Sequence, residues 1–390
     1  MFIDGIKVIL KCIKMIIAID FVGSNFGSGT KTYNLNFCNQ LENSNLDNKI
    51  VIFLTKEYFH QIKFKKNQKI KYIIKSNIFS NILFRLFWMQ FILPFELLYL
   101  KINKLYSPMN FCPIILRISK IKVILAIHSN LPWVHFNLMP GNFIRNFTTK
   151  KLMELSIFFC DKIIVDSHYA KKELSNILKI KKDKIEVIYL GIDEKFLTNR
   201  NSNIFLKNFN YHEKYILTVL SCVKYHNIIN LLKAFKVLIN QDGFKGKFIL
   251  VLQIIDEEYF KYVNNYIQLN FNKNKIIILK NIDNNNLPNL YRHAELFLFT
   301  SYCEVFGLTS LEAMTQNCPV VISNQSALPE INQDSALYFD PDNIVDIKKS
   351  VEKVLKNQEL KNYLITKSKL HYPKFSWIKT IEKTLEVINI

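Results

Sequence analysis

Two glutamates with seven residues between them, Glu304 and Glu312, are the residues best placed to do chemistry in this chain. They lie in the stretch 296–322, LFLFTSYCEVFGLTSLEAMTQNCPVVI. Residues 296–299 form an apolar run of strand length, as expected for a parallel strand covered on both faces. Glu304 follows in a loop. Gly307 permits close approach of the backbone to a ligand. Thr309 opens a predicted helix, Cys318-Pro319 ends it, and Val320-Val321-Ile322 returns to the sheet. A loop leaving the carboxyl end of a parallel strand and entering a helix N-terminus is suited to anionic ligands. The plainer reading of the same residues is local. Thr309 and Glu312 have capping-box spacing, so Glu312 could satisfy backbone N–H groups, and Glu304 could be an exposed loop carboxylate.

A second loop, GSNFGSGTKTY, carries Gly23, Gly27 and Gly29 between the first predicted strand (15–22) and a helix. It suits close approach to a phosphate or sugar. Its spacing is not G-x-G-x-x-G, and no acidic residue follows at ribose-reading distance, which disfavours a dinucleotide site. Asp340-x-Asp342 invites a metal reading, but its place late in the chain, after an aromatic strand end, argues against one.

The elements that must position these residues form an alternating strand–helix chain of 390 residues, long enough for two cores. Nearly half the residues are apolar, so burial is ample. Further strands are predicted at 49–55, 122–127, 161–166, 184–189, 215–219, 248–253 and 276–280. The segment 198–213 is polar, rich in Asn and without period, and is read as a linker. The net charge of +20 favours anionic partners. No zinc-finger spacing, aromatic RNP-type motif or basic zipper points to nucleic acid. A membrane surface or a nucleotide-linked substrate fits better. The seven cysteines are scattered singly, which suggests thiols in a reducing cytoplasm and neither a disulfide framework nor a metal site. Residues 56–75 are dense in lysine, and 78–100 is the most apolar region. Arg85, Gln90, Pro94 and Glu96 interrupt the latter and argue against a spanning helix. Together the two segments suggest a basic, partly apolar surface for anionic lipid.

The whole string from Glu304 to Glu312, with Phe306-Gly307-Leu308 inside and Ala313-Met314 and Pro319-Val320-Val321 after it, resembles the signature of retaining glycosyltransferases of family 4. The resemblance runs from about residue 15 to 390 and is densest after 301. DKIIVDSHY (161–169), KIEVIYLGIDEKF (184–196) and the Leu287-Pro288-x-Leu290-Tyr291 segment also match family elements.

The resemblance implies a GT-B α/β fold. Two Rossmann-like domains would face each other across a cleft: 1–200, with 1–13 an extension, on the acceptor side, and 201–373 on the donor side. Residues 374–390 would form a helix returning to the first domain. It implies catalytic candidates Glu304 and His128 at the sugar. Glu312 would hold the ribose, and the amides of Phe306, Gly307 and Leu308 the diphosphate or sugar. The loop with Gly27 and Gly29 would lie over the diphosphate. Two departures stand out. The family's His is usually followed by Asp, but this chain has His128-Ser129, with His135 a nearby alternative. The usual Arg and Lys of the diphosphate clamp fall near Ser221 and on His226, leaving Lys224 as the fixed cation nearby.

The implied activity is transfer of a sugar such as mannose from a nucleotide sugar to a saccharide or lipid-linked acceptor in cell-surface glycan synthesis. The implied mechanism is metal-independent front-face attack without a cofactor. The expected setting is the cytoplasm, with peripheral contact on the inner membrane. A sugar-nucleotide epimerase and a non-catalytic nucleotide-sugar or anionic-lipid binder are the competing readings.

Overall fold

The computed structural model describes residues 15–23, 28–63, 67–198 and 213–389. The extension 1–13, Gly27 and nearly all of the linker therefore lie outside the described residues.

Two parallel sheets organise the chain. The first contains β1 (Ile16–Asp20), β2 (Lys49–Thr55), β3 (Ile70–Lys75), β4 (Lys104–Ser107), β5 (Lys122–Ile127), β6 (Lys162–Val165) and β7 (Ile185–Val187). Their order across the sheet is β3-β2-β1-β4-β5-β6-β7. The second contains β8 (Tyr215–Cys222), β9 (Lys247–Ile254), β10 (Ile276–Lys280), β11 (Leu296–Phe299), β12 (Val320–Ser323) and β13 (Ala336–Phe339). Their order is β10-β9-β8-β11-β12-β13. In each sheet the order reverses beside the first strand, where β1 meets β4 and β8 meets β11. Open parallel sheets bind ligands outside the carboxyl ends of strands at this reversal. His128, Asp166 and the Glu304 loop all follow strands that end on this side. Two Rossmann-like domains of this kind make a GT-B fold.

The interior strands are apolar on both faces. The side chains of β11 and β12 are buried throughout, which is why these strands read as continuous apolar runs. Two strands are not apparent in the sequence reading, β3 and β4. Strand β3 is IKYIIK at the sheet edge, only half-buried. Its lysines mask its apolar side, and charged edge strands resist pairing with other chains. The lysine-dense stretch 56–75 is therefore partly sheet. Lys75 pairs with Glu96, and Lys69 donates to the Leu46 carbonyl.

The apolar stretch 78–100 divides into Ile82–Phe87, a wider turn at Trp88–Ile92, and Leu93–Tyr99. Among the described residues Ile82–Tyr99 is the single helical stretch long and apolar enough to cross a membrane, with a third of it buried in the protein. Arg85 anchors it. Its guanidinium is fully buried, 3.4 Å from Asp20 at the end of β1, and donates from Nε to the Val22 carbonyl. A buried pair of this kind is strongly destabilised when one partner is lost.

The final helix, Trp377–Asn389, packs on the helix Ser28–Leu41 of the first domain. The crossing is tight at Gly191, where an added Cβ would lie 2.1 Å from the Trp377 nitrogen. Trp377 meets Tyr33 edge-on at 5.5 Å.

Candidate active site

A cleft of about 1130 Å³ runs between the two sheets. Gly29, His128 and Asp166 line it from the first domain, and His226, Glu304 and Val305–Thr309 line it from the second.

The Glu304 loop is held from both sides. Its backbone N–H donates to Ser326 Oγ at 2.9 Å, and its carbonyl accepts from the Ala327 N–H at 3.1 Å. Thr300 Oγ1 donates to the His226 carbonyl, tying the loop to the turn after β8. At the side chain, His226 Nε2 stands 3.2 Å from Glu304 Oε1. His226 Nδ1 lies 2.6 Å from the Ser221 carbonyl oxygen. Both ring nitrogens thus face oxygen atoms of the protein, and Glu304 Oε1 has no hydrogen-bond partner among the described residues.

Gly307 adopts φ 92°, a left-handed conformation that favours glycine, and a Cβ there would lie 2.6 Å from Leu328 Cδ2. The helix starts at Leu308, one residue before the predicted start, with Gly307 as its N-cap and no capping side chain. The capping box between Thr309 and Glu312 does not form. Thr309 lies inside the first turn, where its side chain cannot cap. The leading amides of this helix border the cleft, a ready site for an anion.

Freed of capping, Glu312 turns towards Tyr291, whose hydroxyl donates to Oε2 at 3.3 Å. Dense packing around the carboxyl pushes its pKa up to about 7; Lys195 opposes the rise and Asp193 adds to it. Lys195 and Asp193 form an ion pair at 3.1 Å at the close of the first domain.

Across the cleft, His128 follows β5. Its N–H donates to Asn110 Oδ1, and its ring leans on Tyr33 at 4.5 Å. Nδ1 lies 3.0 and 2.9 Å from the two oxygens of Asp166. The ring's acidic neighbour is thus Asp166, the residue that follows the neighbouring strand β6. The string DKIIVDSHY contains this aspartate, but the spacing from 128 to 166 carries no sign of contact.

Lys224 does not join the site. The turn Lys224–His226 leaves it exposed and outside the cleft lining while burying His226. Lys31, Lys63 and Lys195 line the cleft among the described residues, cations that the sequence did not single out. Gly29 sits exposed near the start of the helix Ser28–Leu41, with open space where a side chain would be. His135 reaches Tyr302, with ring centroids 6.1 Å apart. Asp342 accepts from the Tyr302 hydroxyl, and Asp340 from the Asp342 N–H. Among the described residues no cluster of three His, Cys, Asp or Glu could hold a metal.

The domains also touch outside the cleft. Glu330, from Leu328–Asn332, accepts from the backbone N–H groups of His168 and Tyr169, at 2.8 and 2.7 Å, and from the Tyr189 hydroxyl. It thereby caps a first-domain helix from the second domain.

Comparison with known families agrees with this architecture. The model described as Glycosyltransferase Family 4 matches residues 27–196, and that described as Glycosyl transferases group 1 matches residues 199–371. This chain belongs to glycosyltransferase family 4. The O-antigen chain mannosyltransferase RfbU of Salmonella typhimurium is 23% identical to it over 60% of this chain and 60% of its own length. The serotype-specific mannosyltransferase WbdA of Escherichia coli is 25% identical over 68% of this chain but only 33% of its own length. The chain thus spans less than two thirds of these relatives. The sucrose-phosphate synthase of Thermosynechococcus elongatus superposes with a TM-score of 0.77 at 17% identity, covering 96% of this chain and 98% of the other. Anabaena HepE in complex with UDP-glucose superposes with a TM-score of 0.74 at 14% identity, covering 96% and 99%. In this family 4 chain the two glutamates of the signature part ways: Glu304 lines the cleft from a braced loop, whereas Glu312, expected at the ribose, is not among the cleft-lining residues and turns back towards Tyr291 behind the helix start.

Proposed function

We propose that this chain transfers a sugar from a nucleotide-sugar donor to a saccharide or lipid-linked acceptor in the assembly of a cell-surface glycan. The observation that carries this reading is Glu304 and the uncapped helix start at Gly307 on one wall of a cleft, with His128 on the other. Breaking the anomeric bond leaves positive charge on the sugar and negative charge on the departing diphosphate. The amides of Phe306, Gly307 and Leu308 stabilise the second charge as it develops. Glu304 binds sugar hydroxyls, Glu312 the ribose, and His128 meets the sugar from the acceptor side. Retention follows from front-face attack, in which the leaving phosphate accepts the acceptor's proton. The reading requires no resident metal or cofactor.

Mannose is the favoured sugar because RfbU and WbdA are mannosyltransferases by name. HepE, whose structure holds UDP-glucose, makes glucose the alternative to test. Incubation with radiolabelled nucleotide-linked mannose and with UDP-glucose, with and without lipid extract, tests the reading. Radiolabel appearing in lipid is the expected result. Conversion without an acceptor would mark an epimerase, and binding without turnover a non-catalytic binder.

The same reading places the first domain against anionic lipid on the cytoplasmic face of the inner membrane. Its support is a set of exposed apolar side chains, Leu83, Phe91 and Phe95 on one helical stretch and Phe143, Ile144 and Phe158 on another. Lys101, Arg117, Lys120, Arg145 and Lys151 of the same domain are also exposed. Apolar insertion with basic contacts is the composition of an interfacial surface. The chain should float with anionic vesicles at low salt and largely dissociate at high salt. Absence of low-salt binding would end this part of the reading.

A further inference from the structure

We infer that Asp166 is the positioning residue for His128, supplying from strand β6 the carboxylate that the sequence lacks after the histidine. The inference rests on the reading of the cleft as a sugar-transfer site, and it adds a residue that the family signature does not provide.

Three observations carry it. Asp166 is almost fully buried, with 1% of its surface exposed, and among the described residues it pairs with no lysine or arginine. A buried carboxylate of this kind is costly unless something nearby donates to it. His128 Nδ1 is that donor, within 3.0 Å of both oxygens. Last, His128 Nε2 is buried and has no hydrogen-bond partner among the described residues, although the ring lines the cleft. One nitrogen is committed to the protein and the other is left for a ligand.

The chemistry follows from the two nitrogens being distinct. With Nδ1–H donating to Asp166, the neutral ring presents a lone pair at Nε2 and accepts from a sugar hydroxyl. The imidazolium presents N–H there and donates to a sugar oxygen. In both forms the carboxylate fixes the ring plane and prevents the opposite tautomer. Tyr33, packed on the ring, limits its rotation from the other side. The fold makes this possible because β5 and β6 are neighbours in register, with Ile127 beside Val165, so the residues that follow each strand emerge side by side.

Two measurements test the inference independently. The first uses ¹⁵N-histidine-labelled protein, with the His128 signal assigned by comparison with H128A. Wild type should show a single tautomer protonated at Nδ1. D166A should lose that preference, and D166N should keep it in part, since the Asn oxygen still accepts from Nδ1–H. An unchanged tautomer in D166A, or in D166L if D166A does not fold, overturns the inference.

The second is a double-mutant cycle on transfer activity. D166A should lower kcat roughly tenfold, within the range of coupled neighbours, with the donor KM little changed and D166N intermediate. Added to H128A, D166A should cost nothing further. An equal additional loss in the H128A background would make Asp166 a structural residue and overturn the inference. If wild type transfers no sugar, the proposed function fails, and the tautomer measurement still decides the pairing.

Discussion

The cleft is lined by two histidine–carboxylate pairs, one from each domain, and they are built differently. In the second domain His226 turns Nδ1 to the Ser221 carbonyl and faces Glu304 Oε1 with Nε2 at 3.2 Å, and that oxygen has no hydrogen-bond partner among the described residues. In the first domain His128 engages one acceptor, Asp166, and keeps Nε2 without a partner among the described residues. The difference separates two tasks. The Nε2 of His226 has a carboxylate of the protein beside it. A ring used at one nitrogen is oriented and still available. His226 stands where the family resemblance expects a lysine of the diphosphate clamp; it lines the cleft and also faces Glu304.

The largest expected effect tests the second-domain pair. Glu304→Ala should reduce transfer about a hundredfold or more, on the scale of a group that contacts the reacting centre, while circular dichroism stays unchanged. His226→Ala should cost less by itself and little beyond Glu304→Ala in the double variant. Additive losses would mean that His226 contacts the donor directly, which would remove the contrast with His128.

Next comes Glu312, the carboxylate with no histidine. Its removal should weaken donor binding by ~1–3 kcal/mol, measured by calorimetry, if it is a buried hydrogen-bonding group. Its raised pKa gives a second readout. The folded protein holds this proton up to about pH 7, whereas the unfolded chain releases it near the ordinary carboxylate value. Folding therefore takes up a proton between those limits, and this contribution to stability falls as pH rises through 7. Glu312→Gln removes the ionisation. It should raise Tm relative to wild type at pH 8 and change it little near pH 4.5. A Tm difference independent of pH would show that the carboxyl is not buried as described.

The smallest effect concerns the contact that brings the two pairs opposite each other. Glu330→Ala removes the carboxylate that accepts from His168, Tyr169 and Tyr189 across the domains. It should increase the radius of gyration in solution scattering and leave donor binding on the second domain nearly intact. Unchanged scattering would assign closure to the final helix alone.

Much of the second domain could be read directly from the sequence. Its interior strands are apolar on both faces, so each appears as an unbroken run, and its signature is compact because one loop and one helix start carry it. The first domain was harder to read. Strand β3 hides behind lysines at an open edge, and the helical region around Trp88 is broken by a wider turn. The predicted capping box had the right spacing and the wrong conformation. Gly307 takes the left-handed cap and moves the helix start back to Leu308. Lys224 was the cation nearest in sequence, yet a single short turn carries it out of the cleft.

The sequence alone determined the alternation of strands and helices, the parallel sheets and the pair Glu304 and Glu312. Each of these depends on hydrophobic periodicity or on neighbours within one loop and helix, and such local order is written along the chain. Only the tertiary structure decided that Asp166 meets His128, that His226 meets Glu304, and that Lys195 lies in reach of Glu312. Those contacts join strand ends, turns and domains, and their distances are set by sheet register and domain packing, for which spacing along the chain carries no measure.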